Sequence, residues 1–490
     1  MPRLTRRDLL ARSAQLAPAL LLPQLVLAAC GDNKGETTAP STPGTQASPP
    51  AKATNTQVLV GFGTGNSPEQ TPPQEALAAK YKAAKPGASV EFLRIPDTDE
   101  AQRKFGVLLA SGDAPDVVLP TGLYGISLYL DQKVWLDLSK MMSDSGISLD
   151  LFEKATHDAA RAVNYFGPGS KTVVGLPAGL FTHAVAYNKE LFAKAGVEEP
   201  PHKWDTPEWT YDKLVEVASA LTLDDKGRNP KQAGFDAGKI TQYGLGHWDT
   251  GVMTLGHGGQ AYQPGSRKLS FDSPQYIAGV QAGADLVNRH HVLADDERAA
   301  SIAAGADEPQ LAAWQSGKVA MIDMCACDLL TFGVGNKFAW DVAAWPRGPE
   351  RLIAHLNVDF GSVVSKSNDP AAGFDLLRFL LTDPENARTL STKAYGAMSP
   401  LKSESGKFVQ ELQGRFPGVD LKVFIDALPH SANEQEVWYP AFTEVGDMGS
   451  QFLDSVKQGK ATAAQQLPKY QEAAQKKVDQ WFAANKLPTS

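Results

Sequence analysis

Trp248 and Asp249 stand side by side in a loop bounded by Gly246 and Gly251. A carboxylate accepts hydrogen bonds from neighbouring hydroxyls, and an indole face stacks on the apolar C–H face of a pyranose. The pair can therefore hold a small polyol. Thr64, Gly65 and Asn66 offer a hydroxyl, an amide and backbone N–H groups after the first apolar run. Thr121 and Tyr124 follow the run Asp116–Leu119, where Tyr combines a ring face with a hydroxyl. Phe181 with Thr182, and Trp438 with Tyr439, are further candidates. The run Gly61-Phe62-Gly63-Thr64-Gly65 opens like a dinucleotide fingerprint, but Asn66-Ser67-Pro68 supplies no third glycine. Cys325 and Cys327 make half a soft-metal site at most, and residues two apart along a strand suit a disulfide poorly. They are expected as small, half-buried thiols. No histidine has zinc-site spacing with a carboxylate at helical offset, so no metal site is expected. There is no Gly-x-Ser-x-Gly elbow and no His-Glu-x-x-His.

Strands and helices must carry these loops. Val58–Phe62 reads as a buried strand, Glu75–Lys85 as a helix with Leu77 and Tyr81 on one face, and Ser89–Ile95 as a strand. Thr98–Ser111 reads as a helix stopped by Gly112, before a strand over Asp116–Leu119. Val173–Leu176 and Ala184–Tyr187 are expected strands; Tyr211–Leu221 and Gln275–Arg289 are expected helices. The last third reads as mostly helical, ending in Ala461–Asn485. Alternation of this kind predicts an α/β fold with a doubly wound sheet, whose ligands bind at the carboxyl ends of strands.

The chain has 490 residues, 42% hydrophobic and 21% charged, enough for two or three domains and ordinary for a globular protein. Its net charge is −8; the first 29 residues carry +3, which leaves the remainder at −11. A body that acidic, without a long basic run, is a poor nucleic-acid binder. Three cysteines cannot build a disulfide framework. Residues 1–29 read as an export signal: paired Arg6-Arg7, then an apolar stretch too short and proline-broken to span a bilayer. It closes with Leu27-Ala28-Ala29-Cys30-Gly31, which resembles the bacterial lipoprotein signal; the resemblance implies cleavage before Cys30 and acylation of its thiol. The protein is then expected on the extracytoplasmic face of the cell membrane, anchored through Cys30. The paired arginines resemble a twin-arginine signal, with general secretion as the alternative. Residues 30–56, rich in Thr, Pro, Ser and Gly, are expected as a disordered tether.

Several segments, in order, resemble the family 1 extracellular solute-binding proteins of ABC importers, the group that contains the maltose-binding protein. They are Gly112-Asp113-Ala114-Pro115-Asp116-Val117, Gly175-Leu176-Pro177, Tyr187-Asn188-Lys189-Glu190-Leu191-Phe192, Gly317-Lys318-Val319-Ala320-Met321, Asp383-Pro384-Glu385-Asn386 and Gly396-Ala397-Met398-Ser399-Pro400. The resemblance implies a two-lobe, type II periplasmic-binding-protein-like fold with crossover strands. Lobe 1 would take 57–180 and 345–400, and lobe 2 would take 185–340 and 405–485. It implies a monomer without cofactor that captures a mono- or oligosaccharide in the cleft, passes it to a transmembrane permease and catalyses nothing. Alternatives are an exported carbohydrate-active lipoprotein enzyme and a binder of polyamine or glycerol phosphate. Met324-Cys325-Ala326-Cys327-Asp328 departs from the family pattern, which places Gly and an aromatic residue there.

Overall fold

Val58, Leu59 and Val60 are an unbroken branched run, and all three are almost wholly buried in a strand. The computed structural model describes residues 53–62, 65–95, 98–122, 126, 129–263, 265–306, 308–433 and 438–485. The export signal, Cys30, Thr64 and Tyr124 lie outside the described residues. The strands are β1 (Thr54–Val60), β2 (Ala88–Arg94), β3 (Val117–Thr121) and β4 (Leu176–Asn188). Then come β5 (Leu223–Asp224), β6 (Ile240–Gly246), β7 (Tyr262–Gln263), β8 (Lys268–Leu269) and β9 (Leu293–Ala294). The last four are β10 (Val319–Cys325), β11 (Trp340–Ala343), β12 (Ala354–Val363) and β13 (Ser431–Asn433).

Among the described residues eleven strands share one sheet, running β2-β1-β3-β12-β4-β10-β6-β5, with β11 on β4, β13 on β12 and β9 on β6. β1 pairs in parallel with β2 and β3, as strand–helix–strand crossovers require. The helices Thr71–Ala84 and Thr98–Ser111 make those crossovers. β4 joins the two ends of the sheet. Its first half pairs antiparallel with β12, from Leu176↔Gly361 to Thr182↔Leu356, and its second half with β10, from His183↔Cys325 to Tyr187↔Met321. All thirteen of its residues are buried.

Local chemistry sets the element ends. Asn188 ends β4 and caps the next helix, its Oδ1 accepting from the N–H groups of Glu190 and Leu191; Gly196 closes that helix with φ 64°. Thr210 caps Tyr211–Leu221, and Ser273 caps Pro274–Asn288. The final helix, Ala463–Asn485, is fastened to β8 by two glutamines a turn apart. Gln471 Nε2 donates to the Leu269 carbonyl (2.9 Å), and Gln475 Oε1 accepts from the Leu269 N–H (2.9 Å). No described helix is long and apolar enough to cross a membrane.

Three expectations need correction. The strands expected at Val173–Leu176 and Ala184–Tyr187 are one strand, β4, because Pro177 and Gly179 sit inside its ladder without ending it. The expected tether runs to residue 56, but β1 begins at Thr54, paired with Ala88. The segment expected in lobe 2 after residue 405 does not all lie there: β13 pairs in parallel with β12, which is within the segment expected in lobe 1 and lies in the middle of the sheet.

Candidate functional site

Alternate residues of a strand share one face, and directly opposed residues of an antiparallel pair share it too. Asn357 opposes Phe181, Asp359 opposes Gly179, and His355 and His183 flank the adjacent Leu356–Thr182 pair. His355, Asn357 and Asp359 therefore form a polar row beside His183 and Phe181, inside a sheet that is otherwise apolar. His183, His355, Phe181 and Asp359 are buried. The His183 and His355 rings stack with centroids 4.2 Å apart. His183 Nδ1 lies 2.9 Å from Asp323 Oδ1 on β10, and its Nε2 lies 3.1 Å from Asn357 Nδ2. His355 Nδ1 lies 3.1 Å from Asp249 Oδ2.

Asp249 arrives on the loop after β6. His247, the first residue past the strand, holds φ 43°, a left-handed backbone that costs a non-glycine residue about 1–2 kcal/mol. That turn sends the chain back over the sheet. Asp249 then caps the helix Thr250–Gly256 through the Gly251 N–H (2.7 Å) while its other oxygen meets His355. Burial works to raise the Asp249 pKa, but the His355 ring and the Gly251 N–H outweigh it and hold the carboxyl at about 2. Trp248, half-buried, meets Trp345 with ring centroids 4.5 Å apart. Trp345 and Trp438 are fully buried, and Trp438 packs edge-on to Phe360 of β12 at 6.2 Å. The Nε1 atoms of Trp248, Trp345 and Trp438 have no hydrogen-bond partner among the described residues. Buried donors are nearly always paired, so the orphan indole N–H groups of Trp248 and Trp345, which touch each other, mark where an acceptor is wanted. Left-handed backbone recurs at Phe62 (φ 44°), ahead of the loop after β1, and at Ala441 (φ 60°), just past Trp438. Such strain clusters at functional sites.

On the β1–β3 side of the seam, the line where β4 passes from its pairing with β12 to its pairing with β10, Gly65 packs on Gln74 and Tyr395, and its carbonyl accepts from Gln74 Nε2 (2.9 Å) and Arg94 Nη1 (3.1 Å). Gly122, the residue after β3, comes so close to Asp359 that an added Cβ would stand 2.6 Å from Oδ1. Burial alone lifts the Asp359 carboxyl to a pKa of about 7. Near neutrality it is therefore both acceptor and donor, which suits a hydroxyl that both gives and takes a hydrogen bond. A cavity of about 250 Å³ between Trp135, Tyr165 and Trp481 shares no residue with this row.

Cys325 and Cys327 are bonded to each other, against the expectation of thiols. An extended chain would separate residues two apart by about 6.6 Å. Here β10 ends at Cys325 and the chain turns at once into the helical turn Ala326–Leu330, which brings the Cα atoms to 5.2 Å. Asp328 fixes that turn, Oδ2 accepting from the Cys325 N–H at 2.9 Å.

A sheet split between two ends by one shared strand, with Asp249 and Gly122 from strand ends set against its polar row, has known counterparts. The family model for bacterial extracellular solute-binding proteins matches residues 64–387. The chain belongs to that family. No curated protein matches it. Among solved structures, this solute-binding protein is similar to an ABC substrate-binding protein of Listeria monocytogenes in complex with cycloalternan (17% identity, TM-score 0.67, 87% of this chain and 99% of that one). It is likewise similar to UgpB of Mycobacterium tuberculosis in complex with glycerophosphocholine (17%, TM-score 0.64, 86% and 98%). A third is maltose-bound MalE3 of T. maritima (18%, TM-score 0.61, 86% and 98%). At such identities the likeness is one of fold: two α/β lobes joined by crossover strands.

The solute-binding protein brings some of the nominated residues together and sets others apart. Trp248, Asp249 and Phe181 border the polar row. Trp438 is set apart: it packs on Phe360, which alternates with the polar row along β12 and so lies on the other face of the sheet. Thr121 ends β3 instead of following it; it is fully buried, and its hydroxyl donates to the Val118 carbonyl (2.8 Å). Asn66 ties its loop to the end of β2, Nδ2 donating to the Ile95 carbonyl (2.7 Å), and its buried Oδ1 has no partner among the described residues. Sequence reasoning missed His183, His355, Asn357, Asp359 and Asp323. The available signal was polar residues at alternate positions in the run Ala354–Val363, a period that usually means a solvent-facing side.

Proposed function

We propose that this protein is the capture subunit of an ABC importer, anchored by an acylated Cys30, that takes a neutral mono- or oligosaccharide at the seam and passes it to a transmembrane permease. Family membership supports solute binding. The observation that carries the saccharide reading is the Trp248–Trp345 indole pair beside Asp249, with unpartnered N–H donors around it. Ring faces stack on sugar C–H faces, the carboxylate accepts from hydroxyls, and the orphan N–H groups donate to sugar oxygens. Asp359 faces the same row from β12. Two of the structural neighbours carry saccharides, cycloalternan and maltose. In this reading one lobe takes 54–180 and 345–400 with β13, and the other takes 185–340 with the rest of 405–485.

The test is a calorimetric screen of neutral mono- and oligosaccharides, read alongside thermal shifts, since a bound ligand raises apparent stability. At least one sugar binds with one-to-one stoichiometry and is recovered unchanged. Trp248→Ala weakens that binding by about 2 kcal/mol, close to thirtyfold, the scale of an anchoring aromatic. Steady product release would replace the reading with that of an enzyme. Binding of glycerophosphodiesters alone would replace the saccharide.

A further inference from the structure

Two histidines and two aspartates are gathered at the centre of the sheet from four separate pieces of chain. His183 is on β4, His355 on β12, Asp323 on β10 and Asp249 on the loop after β6. One donor atom each from His183, Asp323 and His355 falls within a 4.8 Å span. Asp249 Oδ2 stands 3.1 Å from His355 Nδ1. His183, Asp323 and His355 are at least nine-tenths buried, in strands whose other inward residues are chiefly Ala, Val, Leu and Met. Burying such groups is costly unless each is paired or ligates a metal, and an apolar set of similar volume would hold the strands at least as well.

We infer that these four residues form a site for a divalent transition-metal ion of the zinc class. Two imidazoles and two carboxylates are a donor set that suits zinc. Bonds of about 2.0–2.2 Å to a tetrahedral ion put its donors about 3.3–3.5 Å apart. The three atoms of that span therefore close by about 1.5 Å, with the stacked His183 and His355 rings turning so that both in-plane lone pairs meet the ion, and Asp249 follows through its contact with His355. The ion takes the place of the hydrogen bond between His183 Nδ1 and Asp323 Oδ1. Asn357, 3.1 Å from His183 Nε2, then holds that ring once its amide turns to present Oδ1, which accepts the Nε2–H as an outer partner does at metal-bound histidines. Cys325 opposes His183 in the ladder, but its sulfur is bonded to Cys327 and is not a donor. Three of the four donors sit on the strands β4, β10 and β12, whose relative positions the ladder already fixes. A bound ion clips together strands of both ends of the sheet and the loop that carries Trp248. The inference makes no use of the solute's identity.

The experiment adds zinc chloride, or cobalt(II) chloride as a spectroscopic stand-in, to the chelator-stripped full-length protein without sugar. One ion binds per chain, the melting temperature rises with zinc concentration, and cobalt gives the visible bands of a tetrahedral site. His355→Gln and Asp323→Asn each weaken zinc by at least about tenfold, whereas the double variant His290→Gln/His291→Gln binds as the parent does. Zinc-edge absorption fine structure of the unaltered protein gives imidazole and oxygen scatterers. The inference is overturned by the absence of one-to-one binding, by affinity that survives both substitutions, by affinity lost with His290 and His291, or by an absorption spectrum without imidazole. The spectrum decides the matter even where the variants fold poorly. Saccharide binding by the metal-free protein would leave both outcomes open to measurement, so failure of one reading does not mimic failure of the other.

Discussion

Asp359→Asn isolates a single buried acid. The carboxyl sits against Gly122 with a pKa raised by burial from 3.8 to about 7, so between those values the folded protein keeps a proton that the unfolded chain has given up. Folding takes up that proton, and stability must fall as pH rises through the window. A shift of roughly three units at 1.36 kcal/mol each bounds the effect at about 4 kcal/mol. Below pH 4 both states are protonated and the cost vanishes; above pH 7 it is complete. Asparagine matches the protonated acid in shape and cannot ionise. Urea unfolding of both proteins from pH 4 to pH 8 measures the difference, and every other titrating group common to the two cancels. The variant gains on the parent by up to one proton's slope through the window and levels off above it. Curves that stay parallel from pH 4 to pH 8, or a parent that gains on the variant as pH rises, would refute the reasoning.

Gly244→Ala drives a Cβ to 2.2 Å from the Ala218 carbonyl oxygen, separating β6 from the helix Tyr211–Leu221. The expected loss is about 3 kcal/mol, and an unchanged urea midpoint would contradict it. Asp249→Asn removes a carboxylate held at about 2 by His355 and the Gly251 N–H. Its contribution is present above the unfolded value of 3.8 and is lost as pH falls toward 2. It amounts to about 1 kcal/mol once solvent screening of this half-exposed side chain is allowed for. The acid unfolding of the variant should therefore flatten between pH 4 and pH 2. Alkylation of the unfolded, unreduced protein should leave Cys325 and Cys327 unmodified; labelling of both would mean that they are thiols.

What the sequence disclosed is what local interactions decide. The helices Thr98–Ser111 and Tyr211–Leu221 run between the residues that their periodicity marks, and the Asn188 cap and Gly196 stop lie where side-chain chemistry alone places them. The site was harder to see because long-range pairing makes it. β12 has no counterpart among the strands expected from the sequence, because His355, Asn357 and Asp359 interrupt its apolar run at alternate positions. Only the return of the chain after residue 350 buries that polar side against His183 and Phe181. Trp248 and Asp249 were legible as a pair, but their partners Trp345 and His355 lie about a hundred residues away. The Cys325–Cys327 bond was missed because the strand ends one residue sooner than an extended reading allows.

β4 has a consequence for how the molecule comes apart. Because one thirteen-residue run lends its backbone to ladders on both sides, neither half owns a complete set of hydrogen bonds. A nick inside Leu176–Asn188 would strip a central neighbour from both portions at once and leave raw edges of the kind that recruit other chains. The halves thus share a spine and cannot be traded as separate modules: they fold, and fail, together.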